Sequence, residues 1–85
     1  MQKLKTKKKS VFLIAKLLES GREDVGISTT FKSAYKLGVF HGGISKPNFD
    51  YREALAQLNK DGITIIHDTE LQRLVAISQV PILKT

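Results

Sequence analysis

The chain contains no cysteine. That absence excludes disulfide staples and every cysteine-ligated metal site, and it leaves stability to an ordinary apolar core. It also fits a reducing, cytoplasmic setting. Long hydrophobic runs are missing too. Residues 11–15 (Val-Phe-Leu-Ile-Ala) are followed at once by Lys16, and Glu19, Arg22, Glu23 and Asp24 occupy the place of a small-residue cleavage site. A secretory core needs roughly 7–15 apolar residues and a membrane-spanning helix about 20, so neither is expected. Catalytic signatures are equally scarce. His41-Gly42-Gly43 has no G-x-S-x-G elbow to serve, Gly42-Gly43-Ile44-Ser45-Lys46 lacks the P-loop pattern, and His41 and His67 have no metal-ligand spacing. No enzyme activity, metal or cofactor is expected.

What remains is one small domain of 85 residues, 41% hydrophobic, with a net charge of +6. A chain this short buries only about 60% of its unfolded surface, which leaves little room for an enclosed catalytic cavity. The charge is unevenly placed. Residues 1–9 hold Lys3, Lys5, Lys7, Lys8 and Lys9 with no acid, whereas residues 10–27 and 61–85 are each slightly acidic. Residues 28–60 carry a smaller basic excess that includes Lys32, Lys36, Lys46, Arg52 and Lys60. The expectation is a disordered basic arm over 1–9 and a nearly neutral folded body over 10–85.

Hydrophobic spacing predicts three helices. Ser10 caps a first helix to about residue 19, with Val11, Ile14, Ala15 and Leu18 at i, i+3, i+4 and i+7 and Gly21 just past its end. Ser28 or Thr29 caps a second, with Phe31, Ala34 and Tyr35 inward and Gly38 as its stop. Residues 39–49 read as a loop, with a short strand near Val39-Phe40 as an option. Asp50 and Glu53 form a capping box for a third helix, whose inner stripe is Tyr51, Ala54, Leu55 and Leu58 and which stops at Asp61-Gly62. Ile63, Ile65 and Ile66 mark a strand over 63–67. Residues 73–80 read as a second strand ended by Pro81, the alternative being a helix capped by Asp68 or Thr69.

Three helices followed by a two-stranded β-hairpin, with a lysine-rich arm in front, resemble the winged helix-turn-helix domains that bind duplex DNA. The fold class expected is therefore α+β, winged-helix-like. The resemblance implies a small transcriptional regulator or DNA-architecture accessory on double-stranded DNA, with no cofactor. Its third helix would read bases through Arg52, Gln57, Asn59 and Lys60, since Arg pairs with guanine and Asn or Gln with adenine through two hydrogen bonds each. Lys32, Lys36, Lys46 and the arm (Lys3, Lys5, Lys7, Lys8, Lys9) would hold phosphates, five arm contacts adding about 4.5 to the salt slope. A homodimer through residues 80–85 is compatible with the short footprint of one module. Asp68-Thr69-Glu70 would form an acidic wing tip. Two other classes share these residues: an RNA-binding accessory, for which only Phe40 and Phe49 are free to stack on bases, and a protein-interaction module (a small inhibitor or adaptor) whose basic tail contacts an acidic protein or is incidental.

Overall fold

The structure, a computed structural model, describes residues 9–82, with the side chains of residues 10–81. It has six elements: β1 (Lys9–Leu18), β2 (Gly21–Ser28), α1 (Phe31–Gly42), α2 (Tyr51–Asp61), β3 (Ile63–His67) and β4 (Leu74–Ile82). The strands form one antiparallel sheet in the order β2-β1-β4-β3, and both helices pack on one side of it. The fold is α+β, but it is not three helices followed by a hairpin. The element order that carried the winged-helix resemblance is absent.

The first helix expected over 10–19 is the central strand β1. Its side chains alternate between two apolar environments. Phe12 and Ile14 face the helices, while Val11, Leu13, Ala15 and Leu17 line the opposite side of the sheet. A central strand that is apolar on both faces gives a continuous hydrophobic run, and any such run contains the i, i+3, i+4, i+7 set of a helix. β1 turns directly into β2, and the register between them shifts at Ile14/Ala15.

The second helix starts later and runs further than its glycine suggests. Thr30 caps α1 by accepting from the Ser33 amide at 3.2 Å. Gly38 is buried inside the helix rather than ending it. The stop is Gly43 at φ +66°, a left-handed conformation glycine adopts without strain. Residues 39–42, expected as loop or strand, are therefore the last turn of α1. Gly38 and Gly42 both face Val75 of β4: a Cβ on Gly38 would lie 3.0 Å from Val75 Cγ1, and one on Gly42 would collide with Val75 Cγ2. These two glycines let the helix sit close to the sheet. Gly42→Ala is accordingly expected to lose about 1–2 kcal/mol net, because overpacking against buried Val75 outweighs alanine's better helix propensity. Urea denaturation measures it directly.

The C-terminal half follows the sequence reading closely. Asp50 and Glu53 make both bonds of the capping box on α2, at 2.8 and 3.0 Å, and Gly62 ends the helix at φ +79°. β3 and β4 pair antiparallel, and β4 continues through Pro81 to Ile82 instead of ending before it. The core between the layers is Ile14, Phe31, Ala34, Ile44, Ala54, Leu58, Ile66, Val75 and Ile77. An aromatic group of Phe12, Phe31, Tyr35 and Tyr51 joins the helix starts to β1, and the Tyr35 hydroxyl donates to the Phe49 carbonyl at 2.9 Å. Burial, with the nearby Asp50 and Glu53 charges, pushes the Tyr35 phenol above its usual range.

Candidate nucleic-acid interface

The cations expected to meet nucleic acid divide into three groups. Lys3, Lys5, Lys7 and Lys8 lie outside the described residues, as does the side chain of Lys9, whose backbone begins β1. Lys32 and Lys36 are exposed one turn apart on α1, and Arg52 and Lys60 are exposed on α2. None of these four forms an ion pair among the described residues. Lys46 differs, since its ammonium is 2.7 Å from Glu70 Oε2. The helical layer thus offers four free positive charges to solvent.

The expected base readers do not act alike. Arg52, Asn59 and Lys60 are exposed on α2, with Ala56 in the same stripe. Gln57 turns toward the sheet, and its Oε1 accepts from Thr64 Oγ1 at 2.8 Å and from the Ile65 amide at 3.2 Å. Its amide oxygen therefore closes the outer edge of β3. Asn48 does the same one pair along, accepting from the His67 amide at 2.8 Å while its own amide donates to the His67 carbonyl at 2.9 Å. Backbone groups of an edge strand would otherwise be open to pairing with another chain.

The segment expected as a wing is bolted to the interhelical loop. Asp68 is 2% exposed and spends both carboxylate oxygens on that junction. Oδ1 accepts from the Glu70 and Leu71 amides at 2.8 and 2.9 Å. Oδ2 accepts from the Ser45 amide at 2.8 Å, the Lys46 amide at 3.2 Å and the Ser45 hydroxyl at 3.3 Å. The Glu70 and Leu71 amides, helped by those of Lys46 and Ser45, hold its pKa far below the ordinary carboxylate range despite the opposing effect of burial. Thr69 N donates to Lys46 O at 2.9 Å, Pro47 bridges to Asp68, and Arg73 Nη1 reaches back to the Gly43 carbonyl at 2.8 Å. Residues 43–48 and 68–73 form one knuckle, with no free wing to enter a groove. Half of it was readable locally, since an Asp accepting from amides two and three residues on is an Asx turn.

Among the described residues Phe40 is the most exposed of the large apolar side chains, at 77%. It stacks edge-on against His41 with ring centroids 5.1 Å apart. Beside it an open groove of about 560 Å³ is lined by Tyr35, Lys36, Val39, Gly43, Ile44 and Ser45. Phe49, the other aromatic considered for stacking, is half-buried against the core. No helix among the described residues is long and apolar enough to cross a membrane. No family model, curated protein or solved structure matches this chain, so no family is assigned.

Proposed function

We propose that this protein binds double-stranded DNA through the solvent side of its helical layer. The reading rests on four exposed cations of the helices. Lys32, Lys36, Arg52 and Lys60 pair with no carboxylate among the described residues, whereas Arg22, the one cation among the described side chains on the open face of the sheet, is held by Asp24. Four cations on one side of a small domain match a phosphate backbone, and each contact made releases counterions. The exposed stripe of Arg52, Ala56 and Asn59 on α2 supplies groups able to meet base edges in a major groove. The arm lysines add attraction without sequence preference. Such an interface, dominated by phosphate contacts, suits a DNA-architecture accessory or a small transcriptional regulator.

The test is fluorescence anisotropy on mixed-sequence duplex DNA across a salt series, using the full chain. Replacing Lys32 and Lys36 together by alanine should make the slope of log K against log salt shallower by about 2. Replacing all four helical cations should leave only the binding contributed by the arm. Binding unchanged in the four-alanine variant, and abolished when Lys3, Lys5, Lys7 and Lys8 become serine, would reduce the protein to a polycationic tail on an unrelated domain. Phe40 favours a second reading, contact with single-stranded RNA, because an exposed ring beside Lys36 is a stacking platform. In that case Phe40→Ala weakens binding to a single-stranded oligoribonucleotide about 5-fold or more and leaves duplex DNA binding unchanged.

A further inference from the structure

The face of the sheet turned away from the helices is largely apolar, and none of the described residues covers it. The strand registers lay it out as a grid. Val80 sits beside Val11, and the next row runs Ile63, Ser78, Leu13, Ile27. Below it come Ile65, Ala76, Ala15 and Asp24, then His67, Leu74, Leu17 and Arg22. Ile27 is 62% exposed, and Ile63, Ile65, Leu74 and Val80 are each close to 40%. Among the described side chains of this face the two charges, Arg22 and Asp24, pair with each other at one corner, 3.1 Å apart. The centre is built from small side chains, the cross-strand pair Ala15 and Ala76, both buried. Monomeric soluble proteins seldom leave such a patch open to water.

We propose that this face is where a second copy of the chain docks, sheet against sheet. Three observations select that occupant. First, the segments of this sequence outside the described residues have little apolar surface to offer the face: residues 1–8 hold only Met1 and Leu4 among four lysines, and residues 83–85 only Leu83. Second, Arg22 and Asp24 cancel, so the described side chains of the face carry no net charge to oppose a twin, and a centre of small alanines among leucine and isoleucine suits interdigitation with the same surface. Third, size is sufficient. Strands of 10, 8, 5 and 9 residues, at about 3.3 Å per residue and about 4.8 Å spacing, give about 500 Å² per copy, hence about 1,000 Å² for two, the lower end of specific interfaces. Growth through the sheet edges is disfavoured. β3 is closed by Gln57 and Asn48, and β2 is blunted by its register shift and by Arg22, Glu23 and Asp24. The dimer leaves both helical layers outward, at opposite ends of the assembly, free of the interface.

Sedimentation equilibrium of the full chain between about 1 and 200 μM tests this, a range suited to the weak association expected of an interface at the lower end of specific sizes. The expected result is a mass rising to twice that of the chain and no further. The double variant Leu13→Glu/Ile65→Glu should remain a monomer across the range, with the circular dichroism of the parent. If that variant fails to fold, the cysteine-free background supplies a second readout. Ser78→Cys, near the centre of the face, should be captured as a dimer by a short bismaleimide, whereas Ser33→Cys on α1 should not. A parent chain that is monomeric at every concentration, that grows beyond dimers, or whose Ser78→Cys form is not captured overturns the proposal.

Discussion

Ile14→Ala should cost about 2–5 kcal/mol, while Leu18→Ala, four residues on, should cost less than about 1 kcal/mol. Ile14 has no exposed surface, pairs with Ile77 on one side and Gly26 on the other, and lies in the main core cluster. Truncating it removes buried methyl groups where the surrounding sheet and helix cannot collapse into the space. Leu18 is 48% exposed at the end of β1. In a helix over 10–19 these two side chains would share one buried stripe and be comparably costly, so the pair separates strand from helix without a structure determination. Urea denaturation is the measurement. The midpoint should fall sharply for Ile14→Ala with little change in slope, and hardly move for Leu18→Ala. A small domain has roughly 5–15 kcal/mol in total, so the first variant stands to lose a large part of its stability.

The residues explain why one half of the fold was legible in the sequence and the other was not. α2 carries its start and stop in local chemistry, the Asp50–Glu53 box and Gly62, and its inner stripe is unambiguous. β3 and β4 are rich in β-branched residues, which suit a pleated surface. β1 misleads because both its faces are apolar, one under the helices and one on the open side. β2 misleads for the opposite reason: its exposed end, Arg22, Glu23 and Asp24, reads as loop because an edge strand needs little hydrophobicity. Gly38 reads as a helix stop, and only the proximity of Val75 across the layer reveals it as a packing position. At the candidate interface, the four-residue spacing of Lys32 and Lys36 is visible in the sequence. The engagement of Gln57 with β3 is not, because it depends on α2 folding back along the edge strand through the Gly62 turn.

Asp68→Ala is expected to lower the melting midpoint by about 10 °C or more at neutral pH, the largest loss from any single polar side chain here. Five donors converge on that carboxylate, four of them backbone amides from two separate loops. Asp68→Asn should be nearly as damaging despite its matching shape. An amide has one oxygen and one NH2 group, so either Ser45 and Lys46 or Glu70 and Leu71 would face a donor with their own donors. The dependence on pH follows from the direction of the pKa shift. The carboxyl is held well below its ordinary value in the folded chain, so the unfolded chain takes up its proton first. The stabilisation is therefore complete above the unfolded carboxylate value of about 4 and is lost as pH falls below it toward the folded value. Thermal melts of parent and Asp68→Asn from pH 7 to pH 2 should show a constant gap down to about pH 5 and a narrowing one beneath. A gap that stays constant to pH 2 would mean that the charge on Asp68 does not hold the knuckle together. If it does, residues 43–48 should lose their amide hydrogen-exchange protection together with residues 68–73 in the variant, because one carboxylate ties both loops to the end of the sheet.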